Sequence, residues 1–111
     1  MNTIACIVPA LDAAPTIATV LRGLRAALPN AFIIAVDDGS RDATAQVART
    51  VADATIRFAV NQGKGAALRA GMNAALNLAC AALVTMVADG QHDPRFAPQL
   101  VAPLGRPDLP L

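Results

Sequence analysis

The run from Leu83 to Pro94, LVTMVADGQHDP, is apolar until it stops at an acid, a glycine, an amide, a histidine, a second acid and a proline. That pattern reads as a buried strand whose end delivers polar side chains to a site, because ligands of open parallel sheets sit at the carboxyl ends of the strands. Asp89 closes the apolar run, where an unpaired carboxylate is costly unless it meets water, a donor or a cation. With Gln91 beside it, Asp89 is suited to hold a hard divalent ion together with phosphate oxygens, since magnesium typically takes one or two protein carboxylates. A turn in which Asp89 only accepts backbone N–H groups would use the same residues without a metal. His92 is a weaker ligand candidate, and Asp93 before Pro94 reads first as a helix cap.

Two further segments carry chemistry. Asp37 and Asp38 follow the apolar run AFIIAV, and a carboxylate there can accept from a nucleobase N–H or a ribose hydroxyl. One of them, with Ser40, can equally cap the next helix, although two adjacent acids before Gly39 are more than one cap requires. NQGKG at 61–65 offers backbone N–H groups at a helix start plus the Lys64 ammonium, which suits a phosphate; the alternative is an ordinary glycine turn with a solvated lysine. It is not a Walker loop, because Gly-Lys is not followed by Ser or Thr. Nor does the first strand lead into G-x-G-x-x-G, which argues against a nicotinamide cofactor.

These segments need elements to position them. Thr3 to Pro9 reads as a strand covered on both faces, and Ile17, Val20, Leu21, Leu24 and Leu28 as the apolar stripe of a helix with Pro15 in its first turn and Pro29 past its end. Ala31 to Val36 is a second strand. Ser40 or Asp42 would cap a helix with Ala43, Val47 and Val51 on one face, followed by a weaker third strand over Thr55 to Val60. An alanine-rich helix runs from the NQGKG turn to about Cys80, its Ala67, Ala70, Gly71, Ala74 and Ala75 small enough to lie close to a sheet. The fourth strand spans about Ala82 to Ala88, and Phe96, Leu100 and Leu104 suggest a short last helix. Regular alternation of this kind predicts a parallel sheet with helices on both faces. All the polar strand ends, Pro9–Asp12, Asp37–Ser40 and Asp89–His92, then share one edge with the NQGKG turn.

Composition bounds the rest. The 111 residues make one domain, 1–104, with an irregular tail at 105–111; the chain is 55% hydrophobic but only 3% aromatic, so its core is built from Ala, Val, Leu and Ile. Nine basic against eight acidic residues leave no global field to recruit nucleic acid or an anionic membrane. Cys6 and Cys80 lie in apolar runs without metal-ligand spacing and read as buried free thiols of a reducing compartment. Residues 1–15 lack the basic start of a secretory signal, and the apolar reach from Ala74 to Ala88 is too short and too interrupted to span a bilayer. The expected location is cytoplasmic, at most peripheral at the inner face of a membrane.

Four segments in register, IVPALDAAPTI at 7–17, VDDGSRDATAQVA at 36–48, NQGKGAALRAG at 61–71 and VTMVADGQHDP at 84–94, resemble the family-2 glycosyltransferases, in particular the dolichyl-phosphate-mannose-synthase-like and polyprenyl-phosphate branch. The resemblance implies an α/β fold of the GT-A type, a Rossmann-like parallel sheet with alternating helices, present here only as its N-terminal nucleotide-binding half and so incomplete. It implies a nucleoside-diphosphate sugar donor with Mg²⁺ or Mn²⁺, and a polyprenyl phosphate or other acceptor of the hexose. Pro9 and Leu11 would border the base and ribose, Asp37 and Asp38 would face the base, Lys64 would lie near the nucleotide, and Asp89 and Gln91 would contact metal or diphosphate. Two departures stand out. The family usually has Asn-Glu where this chain has Asp12-Ala13, and Asp-x-Asp where this chain has Val87-x-Asp89. The region that in relatives binds the acceptor and supplies the base lies beyond residue 111. The expectation is therefore a glycosyltransferase weak or inactive as this chain stands; the alternative is a non-catalytic truncated relative, a nucleotide-binding or interaction module that self-associates through exposed apolar surface. A sugar nucleotidyltransferase is disfavoured by the missing glycine-rich loop after the first strand.

Overall fold

A computed structural model describes residues 4–86 and 88, together with the backbone of 101–103. Its elements in chain order are β1 (Ile4–Ala10), α1 (Ala14–Ala27), β2 (Phe32–Asp37), α2 (Thr44–Arg49), β3 (Ala54–Arg57), α3 (Lys64–Asn77), β4 (Ala82–Thr85) and β5 (Val101–Pro103). The sheet order is β3-β2-β1-β4-β5, with β1 parallel to both β2 and β4, and β2 parallel to β3. β1 is therefore flanked on both sides, and its residues from Ala5 to Ala10 are buried. Pro9 is tolerated in this inner strand because it stands one residue from the end, where one ladder donor is lost. The order reverses between β1 and β4, and such a switch point is where open α/β sheets form a crevice.

Strand alternation divides the core in two. Cys6, Val8, Ile33, Ala35 and Val84 face Ile17, Val20, Leu21 and Leu24 of α1 and Ala48 of α2. Ala5, Ile7, Ile34, Val36 and Leu83 face α3. The small residues of α3 allow a very close approach: a Cβ at Gly71 would stand 2.3 Å from Ile7 Cγ2. At the opposite edge from the crevice, Arg25 pairs with Asp53, whose carboxylate accepts the Ile33 N–H at 2.8 Å, tying α1 to the start of β2.

Four expectations are corrected. Phe96, Leu100 and Leu104 of the expected last helix lie outside the described residues, but 101–103 between them is a strand antiparallel to β4, Leu83 opposite Ala102, covering an edge that would otherwise present unpaired N–H and C=O groups. The parallel arrangement thus holds for four strands and not for the fifth. The third strand ends at Arg57, and Val60, expected within it, is 65% exposed. The N-cap residue of α2, Ala43, makes no side-chain hydrogen bond, and Ser40 does not cap the helix; Asp42 Oδ1 accepts the N–H of Thr44, the first residue of α2, at 3.0 Å from one position further out. The buried face of α2 is Thr44, Ala45 and Ala48, while Val47 and Val51 are half-buried against the core and Ala43 is exposed. The stop of the fourth strand, Val87, Asp89, Gln91, His92 and Asp93, and the tail at 105–111 lie outside the described residues.

Candidate functional site

The carboxyl ends of β1 and β2 and the turn before α3 enclose a cleft of about 280 Å³. Pro9, Ala10 and Leu11 form one wall, and Asp38, Asn61, Gly63 and Lys64 the other. Ladder bonds continue past the strands here: Asp38 N–H donates to Ala10 C=O at 2.9 Å and Ala88 N–H to Pro9 C=O at 3.1 Å. The end of β1 is thereby fixed from both sides, and the expected metal pair begins one residue beyond Ala88 in the chain.

Asp38 organises the second wall. It is 4% exposed, and its carboxylate accepts the Gln62 N–H at 2.7 Å, the Gly63 N–H at 3.0 Å and the Asn61 amide at 3.2 Å. The Asn61 amide also donates to the Asp38 carbonyl at 3.2 Å. Gly39 makes this approach possible, since it sits at φ +76° and a Cβ there would lie 2.4 Å from the Asn61 nitrogen. Within the NQGKG turn the N–H groups of Gln62 and Gly63 are spent on Asp38, so of the expected cradle only the donors at the start of α3 itself are left to a ligand. What the turn does present is Lys64 at the first position of α3, exposed and without a carboxylate partner among the described residues.

Asp37 does not line the cleft. It lies on the α1/α2 side of the sheet, 1% exposed, where Oδ1 accepts the Ser40 N–H at 2.9 Å. Its Oδ2 has no hydrogen-bond partner, and the Arg57 guanidinium stands 4.0 Å away. The four other nucleotide candidates, Pro9, Leu11, Asp38 and Lys64, share the one cleft.

Asp12, Ser40, Asp42 and Thr44 form a second polar group that works across loops. The loop after β1 is bound to the loop after β2 by four bonds: Asp12 N–H to Ser40 Oγ at 2.8 Å, Ala13 N–H to Thr44 Oγ1 at 2.9 Å, Ala14 N–H to Asp42 Oδ2 at 3.2 Å and Arg41 N–H to Asp12 Oδ1 at 2.9 Å. Thr44 and Asp42 thus occupy the N–H groups of Ala13 and Ala14 at the start of α1, which the helix itself leaves open, and Ser40 holds the residue before them. Asp42 also accepts from the Thr44 hydroxyl and backbone, and the hydroxyl bond leads in holding its carboxyl below the ordinary carboxylate range.

The metal expectation has no donor set among the described residues, where no three His, Cys, Asp or Glu side chains come together. Both oxygens of Asp38 accept bonds from its turn, Asp37 does not line the cleft, and Asp89 and Gln91 are not described.

A parallel four-strand sheet with helices on both faces and a reversal of strand order define an α/β domain of the GT-A-like kind. The model of "Glycosyl transferase family 2" matches residues 5–109, and the chain belongs to that family. It is 32% identical over 108 residues, 93% of the chain, to the undecaprenyl-phosphate mannosyltransferase of Micrococcus luteus, covering 44% of that protein. It is also 38% identical over 72 residues, 65% of the chain and 30% of the relative, to the uncharacterized protein MJ1222 of Methanocaldococcus jannaschii. The crystal structure of S. aureus TarS matches with a TM-score of 0.67 at 20% identity over 78% of this chain and 16% of that one, a likeness of fold. The chain spans less than half the length of each of these proteins.

Proposed function

We propose that the chain is the donor-nucleotide portion of a polyprenyl-phosphate glycosyltransferase of the dolichyl-phosphate-mannose-synthase-like branch, serving transfer of a hexose from a nucleoside-diphosphate sugar to a lipid phosphate. The observation that carries the reading is the cleft in which an apolar wall, Pro9, Ala10 and Leu11, faces the Asp38-held turn bearing Lys64. An apolar wall suits the face of a base or ribose, and an ammonium at a helix start suits a diphosphate. The Micrococcus luteus relative supports the acceptor class. Among the described residues no helix is long and apolar enough to cross a membrane.

A divalent ion, Mg²⁺ or Mn²⁺, belongs to the proposal through Asp89 and Gln91, with Val87 in place of a second acid. When bound, such an ion stabilises charge on the departing diphosphate. Calorimetric titration of the chain with UDP- and GDP-sugars, with and without Mn²⁺, tests the reading. Saturable binding of one of them is expected, and no binding at millimolar ligand would remove it.

A further inference from the structure

We propose that Asp37, Ser40 and Asp12 form a positioning relay that holds Leu11 over the cleft; this rests on the nucleotide reading of that cleft. Leu11 is 47% exposed, so packing does not fix it. Its place is set by the residue that follows. Asp12 has φ +48°, in the left-handed region that residues with a Cβ rarely adopt, although Asp tolerates it better than most. A backbone in that state persists only where its surroundings over-determine it.

Two bonds do so. The Asp12 N–H donates to Ser40 Oγ at 2.8 Å, and Asp12 Oδ1 accepts at 2.9 Å from the N–H of Arg41, the residue after Ser40 in the loop after β2. Asp12 cannot leave the left-handed region without giving up both. Ser40 is itself 6% exposed and fixed by its N–H to Asp37 Oδ1 at 2.9 Å. A continuous path therefore runs from the end of β2, through Asp37, Ser40 and Asp12, to the wall residue Leu11. This gives Asp37 a role although it does not touch the cleft. The start of α1 has separate ties, Ala13 to Thr44 and Ala14 to Asp42, so the relay can be cut without releasing the helix.

The test is a double-mutant cycle on the 111-residue chain. Dissociation constants for UDP and GDP are measured for the unaltered chain, Ser40→Ala, Leu11→Ala and the double variant, with amide hydrogen exchange at Asp12 alongside. Ser40→Ala is expected to weaken binding about tenfold, the worth of one hydrogen bond, and to speed Asp12 exchange, while Ser40→Thr restores both. Leu11→Ala weakens binding too, and the double variant is no weaker than Leu11→Ala, because Ser40 acts through Leu11. Additive losses, or unchanged binding in Ser40→Ala where Leu11→Ala weakens it, would overturn the relay alone. If the unaltered chain binds neither nucleotide, the reading of the cleft fails, and unchanged Asp12 exchange in Ser40→Ala would overturn the relay separately. Should Ser40→Ala not fold, Ser40→Cys, which keeps the side-chain shape but offers a much weaker acceptor to the Asp12 N–H, takes its place in the same cycle.

Discussion

The carboxylate of Asp38 accepts the backbone N–H of Gln62 at 2.7 Å, joining the end of β2 to the turn that starts α3. One acid thereby sets the position of a whole helix terminus and of Lys64 on it. Because two backbone donors and one amide converge on this buried group, its charge is matched where it stands.

Asp38→Asn keeps the size of the side chain but turns an N–H donor toward donors. Hydrogen bonds to a charged group are worth about 1.5–3 kcal/mol each, so a loss of roughly 2–4 kcal/mol is expected. Urea unfolding of both chains measures it, and a change within 0.5 kcal/mol, the usual size for an exposed substitution, would contradict the role assigned to Asp38.

At Gly71 two effects oppose. Alanine is a better helix former than glycine by about 1 kcal/mol, but its Cβ would meet Ile7 Cγ2 at 2.3 Å, with Ile7 fully buried. Overpacking costs about 1–3 kcal/mol and more where neither side can move, so Gly71→Ala is expected to destabilise the chain. A raised melting temperature by calorimetry would show that α3 does not pack this closely on β1.

The periodicity of Ile17, Val20, Leu21 and Leu24 made α1 legible in the sequence, since buried faces repeat at local spacing. That the end of β1, the end of β2 and the turn at 61–65 meet at one edge was also legible: alternation predicts parallel strands, and parallel strands put their ends together. The partners of the polar groups at that edge were not. Ser40 was expected to cap the helix that follows it, yet it binds Asp12, 28 residues earlier, and Asp38 binds a turn 24 residues later. Such bonds form through space once the sheet has assembled, and no local spacing announces them. The spacing of Leu100 and Leu104 fits a helical turn, but at 101–103 pairing with the open edge of β4 prevails.

Cys6 is 1% exposed, and burial pushes its thiol up to about 11 from 9.0, with Arg25 opposing and Asp53 adding to the shift. Between those values the unfolded chain gives up a proton that the folded chain keeps. Stability from this group is therefore intact below pH 9.0 and is lost as pH rises toward about 11. Urea midpoints across that window should fall less steeply in Cys6→Ala than in the unaltered chain. Equal slopes would mean that Cys6 is not desolvated in the folded state.

Val87→Asp restores the acid that the family usually has at this position. If the site binds a divalent ion weakly for want of that carboxylate, the variant binds Mn²⁺ at least about tenfold more tightly in the presence of nucleotide, readable by electron paramagnetic resonance as loss of free Mn²⁺. No change in Mn²⁺ affinity would count against Asp89 and Gln91 as its ligands.

The most direct measurement of the nucleotide site is a ¹H–¹⁵N titration of the chain with UDP and GDP, repeated on Lys64→Ala. The account predicts saturable shifts of the amides of Ala10, Leu11, Gln62, Gly63 and Lys64, which line or border the cleft, with Ile4, Leu28 and Ala31 at the opposite sheet edge unmoved, and affinity reduced in Lys64→Ala. Shifts centred on the opposite edge, or no saturable shifts at millimolar nucleotide, would contradict it.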